Sequence, residues 1–275
     1  MKLHVVFFTV CLIALISGEA RGVVAEQGTV AFSRSWSADP SKASEASVRP
    51  SFPGKKETNP FTFWCFKSNG DRIPNCQISL ASKAVSKSGG HDHTNAGQPL
   101  GSFSPKSGNT GSDVFRSSFT SPEISGFIDV KVSGSAPGYN ITPGVFRLRI
   151  ELPGLQSLAQ GTNYLLVGQT KSHTSNHFGI SGFNAKLAQL ANLYTGEFPG
   201  GKLGYNDMSL PLGGLFDWKA TWKSPHSEHR IGVNVDLPLR YFPAARRARV
   251  GQLAKSLKIK VLQEDAEHWH LTNLN

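Results

Sequence analysis

The chain is short of cysteine, of acidic residues and of long apolar runs, and each shortage narrows what it can be. Only three cysteines occur in 275 residues, and no two have the Cys-x-x-Cys spacing, which argues against a zinc site built on thiolates. Asp and Glu number 19 against 29 Lys and Arg, a formal net charge of +10. The basic residues are scattered apart from Arg246-Arg247-Ala248-Arg249, which reads as the solvated face of a helix. The one long apolar run is Val5 to Ser17, preceded by Lys2 and His4 and followed by the small-residue cleavage signal Gly18-Glu19-Ala20. That pattern is a secretory signal peptide, too short and wrongly flanked for a membrane span. It is expected to cover residues 1–20, with a second cut site after Ala25. With no other apolar segment of spanning length, the mature protein is expected to be exported, periplasmic or extracellular. There its basic excess suits an anionic cell-envelope polymer better than nucleic acid.

Cys11 leaves with the signal peptide. Cys65 and Cys76 remain, and an even count in an oxidising compartment predicts a disulfide, the alternative being two free buried thiols. Phe61 to Phe66 is strand-like in its aromatic content, Ser68-Asn69-Gly70-Asp71 carries the Asn-Gly turn signal, and Cys76 to Leu80 alternates. Together they predict that the two cysteines lie on neighbouring antiparallel strands. Gly126 to Val132 and Val145 to Leu152 read as further strands. The stretch 26–57 reads as a linker with one strand. Ser82 to Ser121, rich in Gly, Ser, Asn and Pro, reads as a long loop or a pair of short edge strands. Residues 27–160 are therefore expected to form an all-β, immunoglobulin-like sandwich domain.

Residues 161–275 mix helix and strand. Asn184 opens a helix with Leu187, Leu190, Ala191 and Tyr194 on one stripe and Gly196 as its stop. A second helix runs from about Pro243 to Ser256. Lys258 to Leu262 and the terminal His-Trp-His segment read as strands, giving an α+β domain with an antiparallel sheet.

The chemistry-bearing residues cluster near the C-terminus. His229 and Asp236 are seven positions apart, which on a straight strand would point them to opposite faces. The segment must therefore bend, and Gly232 gives it the freedom to do so. Such a turn can present both groups to one cation. In Glu267-His268-Trp269-His270 the two imidazoles share a strand face, so one can ligate while the other lies close by. Two imidazoles and a carboxylate are the ligand set of a catalytic zinc site with one open position. Elsewhere, His91-Asp92-His93 is a metal-capable spacing whose simpler reading is a polar loop facing solvent or the neighbouring domain. His173 and His177 read as second-site or cleft residues, or as structural or solvent-exposed ones.

The pattern Ser227-x-His229-x-x-Gly232-x-x-x-Asp236 followed by His268-x-His270 resembles the zinc signature of the peptidases related to lysostaphin, the D-alanyl-D-alanine metallopeptidases and the hedgehog signalling domain. Asn206-Asp207-Met208-Ser209-Leu210-Pro211-Leu212-Gly213-Gly214 and Pro225-His226-Ser227-Glu228-His229 bring it closest to the penicillin-insensitive murein endopeptidases. The resemblance covers about residues 200–275. Asn206 stands where that family has glycine, and Glu228-His229-Arg230 where it has Ser-His-Gln.

The resemblance implies that His229, Asp236 and His270 hold zinc, with His226 an accessory ligand or a substrate contact. It implies Glu267 as the base acting on zinc-bound water and His268 as stabiliser, both being chemically able to take the proton. Asp207 and Ser209 would shape the pocket, Gly213-Gly214 would let backbone approach the substrate, and Arg230 or Arg240 would grip a substrate carboxylate. The implied activity is zinc-dependent hydrolysis of amide bonds in peptidoglycan peptides, as a murein endopeptidase or carboxypeptidase. The alternative is a non-catalytic, zinc-stabilised binding protein of the cell envelope on the same scaffold.

Overall fold

The computed structural model describes residues 25–34, 45–223, 228–263 and 265–274. The signal-peptide assignment, Cys11, His226 and Ser227 lie outside the described residues. The described residues are mostly β-sheet with two α-helices, and no helix among them is long and apolar enough to cross a membrane.

Thr58–Lys67 shows why the first half folds as it does. Its alternate residues Asn59, Phe61, Phe63 and Cys65 are all buried, as a strand with one inward face requires. It pairs antiparallel with Glu26–Arg34 on one side and Phe115–Thr120 on the other. A second sheet runs in the order Glu45–Val48, Gly144–Ile150, Gly126–Ser135, Gln77–Ala84, Ser107–Asn109. Its inward residues, among them Ile78, Val130, Phe146 and Leu148, join Phe61, Phe63, Phe115 and Phe119 of the first sheet in one hydrophobic cluster. Phe146 of the second sheet stacks on Phe32 of the first, with ring centroids 4.1 Å apart, and meets Phe61 at 5.8 Å. The sheets therefore face each other across a phenylalanine-rich core, each ring contributing roughly 1.5–3 kcal/mol on burial.

Several expectations for this half need correcting. The stretch 26–57 holds two strands where one was expected: Glu26–Arg34, which also pairs in parallel with Tyr139–Thr142, and Glu45–Val48, which pairs in parallel with Gly144–Ile150. Ser82 to Ser121 does supply two short strands, Ser102–Ser104 and Ser107–Asn109, but also Phe115–Thr120, which lies inside its sheet. Cys65 and Cys76 form the disulfide, yet not between neighbouring strands. The Asn-Gly turn leads into the two-residue strand Arg72–Ile73, which pairs beside Cys65. The chain then crosses, so that Cys76 sits at the start of the second sheet and the bond ties one sheet to the other.

A separate hydrophobic cluster spans Leu158 to Leu271. The helix Ser181–Glu197 buries Phe183, Leu187, Leu190, Ala191 and Tyr194. It begins three residues before Asn184, and Gly196 lies inside it. The helix Ala244–Ser256 buries Val250, Leu253 and Ala254. Its Arg249 pairs with Glu197 on the first helix, and its Arg246 guanidinium lies 4.6 Å over the Phe198 ring, so part of the basic cluster joins the helices. Both helices share their core with Val235, Leu237 and Leu271 of a three-stranded antiparallel sheet ordered Asn234–Pro238, His268–Asn273, Ile259–Gln263.

Gly213 and Gly214 have φ of +72° and +73°, a conformation that favours glycine. The close approach they permit is to the protein itself. A Cβ on Gly213 would lie 2.9 Å from the Arg230 carbonyl oxygen, and one on Gly214 2.8 Å from that of Glu123. Gly214 and Leu215 donate backbone hydrogen bonds to Arg230 and Glu123.

Candidate metal centre

In the three-stranded sheet the two faces are chemically distinct. Val235, Leu237 and Leu271 point into the helical core and are fully buried. Alternation sends Asp236 and His270 to the opposite face. These two residues are direct partners in the antiparallel register, so their side chains emerge side by side. The His270 Nδ1 lies 2.9 Å from the Asp236 Oδ1.

His229 reaches the same carboxylate from the preceding turn, its Nε2 3.2 Å from Asp236 Oδ1. The bend expected at Gly232 is present. Its φ is +71°, its carbonyl accepts the Ile180 amide at 2.9 Å, and a Cβ there would lie 2.9 Å from Gly179 Cα. The turn is thus packed against the start of the helix Ser181–Glu197, and His229 is returned to the face that Asp236 occupies.

The three donor atoms lie within 4.8 Å of one another, and their residues are 2%, 3% and 6% exposed in the order His229, Asp236, His270. Tetrahedral zinc bonds of about 2.0–2.1 Å place neighbouring ligand atoms roughly 3.3 Å apart. The two separations from Asp236 Oδ1, 3.2 Å to His229 Nε2 and 2.9 Å to His270 Nδ1, lie within about 0.5 Å of that edge. Burial opposes ionisation of Asp236, but hydrogen bonds from His229 and His270 outweigh it and hold the carboxyl below the usual carboxylate range. An ionised carboxylate flanked by two imidazoles is a donor set that can hold a metal ion.

Of the proton-handling candidates, His268 lies one alternation from His270 on the ligand-bearing face, with its side chain 24% exposed. Its backbone amide is held by the Asp265 carboxylate at 2.7 Å, and its ring Nδ1 lies 3.4 Å from the same group. Glu267 is exposed just before the strand begins, and its carbonyl accepts the Leu239 amide. Asp207 is buried close by. Its carbonyl accepts the Asp236 amide at 3.0 Å and its carboxylate accepts the Asn176 side chain at 2.7 Å. Burial is the main cause that raises its pKa. Ser209 is buried and pairs through its backbone with Phe178. Arg230 does not await a substrate carboxylate, because its guanidinium is buried in an ion pair with Glu123 at 2.7 Å. Arg240 lies 5.0 Å over the ring of its neighbour Tyr241.

The remaining histidines divide. His177 is structural: Nε2 donates to the Tyr205 carbonyl at 3.0 Å, and Nδ1 lies 3.3 Å from the Gln169 amide nitrogen. His91 and His93 are not on a solvent-facing loop. They converge with His173 on Asp217, a second group able to hold a metal ion. Asp217 carried no signal in the sequence, since Leu215-Phe216-Asp217-Trp218 matches no ligand spacing. Only the fold brings it to the histidines.

Compared with known proteins, the chain matches no family model and no curated sequence.

Proposed function

We propose that the chain is an exported zinc metallopeptidase that hydrolyses amide bonds in peptidoglycan peptides. In this reading residues 161–275 form the catalytic domain, and residues 27–160 form an immunoglobulin-like sandwich domain that positions it on the wall. The observation that carries the proposal is the buried convergence of His229 Nε2, Asp236 Oδ1 and His270 Nδ1. These are three donors of the types catalytic zinc uses, one fewer than a closed tetrahedral site needs. The residue pattern resembling the murein endopeptidases supports the choice of substrate.

When bound, zinc supplies Lewis acidity toward the scissile carbonyl and an activated water at neutral pH. The protein's own contribution is to fix the donors. Strand pairing sets Asp236 against His270, the Gly232 turn returns His229 to them, and Val235, Leu237 and Leu271 pack the sheet's other face on the helical core. His268, on the same strand face as His270 and partly exposed, is placed to take a proton at one ring nitrogen while Asp265 orients the ring. Glu267, exposed at the strand's edge, is the rival for that proton.

The test is release of free amines from purified peptidoglycan by the zinc-loaded mature chain. His229→Ala should lose amine release and the zinc held at this centre. His268→Ala should keep zinc and lose activity by about 10²–10⁴-fold, the usual contribution of a general base. If Glu267→Ala shows that loss instead, the proton passes to Glu267. Zinc binding without amine release from any wall type would favour the non-catalytic binding protein.

A further inference from the structure

The second cluster draws its members from distant parts of the chain. His91 and His93 come from the loop after Gln77–Ala84 in the N-terminal half. His173 lies just before the helical half, and Asp217 in the loop that precedes His229. The segments are fastened to one another before any ligand is considered. Asp92, between the two histidines, accepts the Thr174 amide at 3.1 Å and its hydroxyl at 2.6 Å, while its own amide donates to the Ser172 carbonyl. Gly89 and Gly90 allow the loop to press against Ser125 and Pro211.

At the centre is Asp217, fully buried. Its Oδ1 lies 2.8 Å from His91 Nδ1 and 3.1 Å from His173 Nε2. Its Oδ2 accepts the Trp222 amide at 2.6 Å and faces His93 Nε2 at 3.4 Å. His91 and His173 are each 1% exposed, and the His93 side chain 7%. The Trp222 ring covers His93 and His91 at 4.4 and 5.0 Å, and Phe216 covers His173 at 5.0 Å.

Hydrogen bonding within the protein does not account for His93. Its Nδ1 lies 3.2 Å from the Thr94 carbonyl, an oxygen that can only accept, so Nδ1 carries the ring's proton. In a neutral ring Nε2 is then a bare lone pair. That nitrogen is buried without a hydrogen-bond partner among the described residues and is aimed at a carboxylate oxygen. Two lone pairs that face each other in a dry interior repel unless a proton or a metal cation lies between them, and only a metal cation can also bind the other three side chains. A cation that also receives His91 Nδ1, His173 Nε2 and Asp217 gives each of these donor atoms a partner, while His91 Nε2 and His173 Nδ1 keep none among the described residues, and the four donor groups lie within 4.8 Å of one another.

We propose that His91, His93, His173 and Asp217 form a second zinc site that fastens the N-terminal β half to the C-terminal half. Three imidazoles and one carboxylate complete a tetrahedron, the closed arrangement of structural zinc, with no position left for a substrate. Imidazole-rich ligation favours zinc over calcium or magnesium, which take oxygen donors. The His93–Thr94 and Trp222–Asp217 hydrogen bonds are the outer contacts that hold such ligands in orientation. This site does not depend on the peptidase reading.

The experiment is a zinc titration of metal-free full-length mature chain, with bound metal counted by mass spectrometry after free metal is removed. Wild type should bind two zinc ions. His229→Ala, His93→Ala and Asp217→Asn should each bind one, and His93→Cys, which keeps a zinc-binding side chain, should bind two. In the His229→Ala background zinc should still raise the unfolding temperature, and adding His93→Ala should remove that rise, with circular dichroism at low temperature confirming that the variants fold. The proposal is overturned if His229→Ala binds no zinc, or if His93→Ala and Asp217→Asn bind as much as wild type. One ion in wild type that survives His229→Ala and is lost in His93→Ala would uphold this site and remove the metal from the proposed catalytic centre.

Discussion

Replacing Gly232 by alanine tests whether the turn between His229 and Asp236 is as constrained as its geometry implies. At φ +71° an L-residue is strained, by roughly 1–2 kcal/mol. Loss of unfolded-state freedom offsets about 0.4–1 kcal/mol of that. The new methyl would also lie 2.9 Å from Gly179 Cα and 3.1 Å from the Ile180 nitrogen. These are backbone atoms that cannot swing aside, so overpacking adds about 1–3 kcal/mol. Gly200 supplies the control: its φ is +78°, but nothing lies within 4 Å of a Cβ there. Gly200→Ala should therefore cost about 0–1.5 kcal/mol and Gly232→Ala about 1–4.5 kcal/mol, with the overpacking difference of about 1–3 kcal/mol between them, read as the difference in urea-unfolding free energy at unchanged slope. Because the strain sits between two of the proposed ligands, Gly232→Ala should also weaken zinc binding, which Gly200→Ala leaves intact. Equal destabilisation by the two substitutions would refute the close packing of this turn.

Three further outcomes follow from other parts of the fold. Cys65→Ala with Cys76→Ala should lower stability by about 3 kcal/mol, the chain-entropy value for so short a loop, measured by denaturant unfolding with and without reductant. Phe63→Ala, which empties a fully buried position between the two sheets, should cost about 3–5 kcal/mol in the same assay. Burial lowers the His177 pKa below the ordinary imidazole value of 6.5. The folded protein therefore resists a proton that the unfolded chain accepts, and this contribution is present above pH 6.5 and lost as pH falls through and below it. Comparing unfolding at pH 7.5 and 5.5, His177→Gln should show a smaller loss of stability than wild type.

What could be read from the sequence was what local pattern controls. The alternation of His268 to Asn273 divides a core face from a ligand face, and Gly232 between His229 and Asp236 signals the bend that joins them. The stripe Leu187, Leu190, Ala191, Tyr194 marks a buried helix face. Long-range pairing was not legible. Glu26–Arg34 is a strand because Thr58–Lys67 and Tyr139–Thr142 flank it, and Phe115–Thr120 reads as loop because its inward set is two phenylalanines and a serine in a serine-rich stretch. The Asn69-Gly70 turn was real, but its return strand is two residues long, so Cys76 passed to the opposite sheet. Three of the second cluster's four members, His91, His93 and His173, stood out in the sequence, though not as one group. Asp217, the group they share, became recognisable only through the fold.

The central claim is that His229, Asp236 and His270 hold a zinc ion. The most direct measurement is anomalous diffraction at the zinc edge from crystals of the zinc-loaded mature chain. The expected result is a peak about 2.0–2.2 Å from His229 Nε2, an Asp236 carboxylate oxygen and His270 Nδ1. A zinc-loaded crystal with no peak among these three atoms would contradict it.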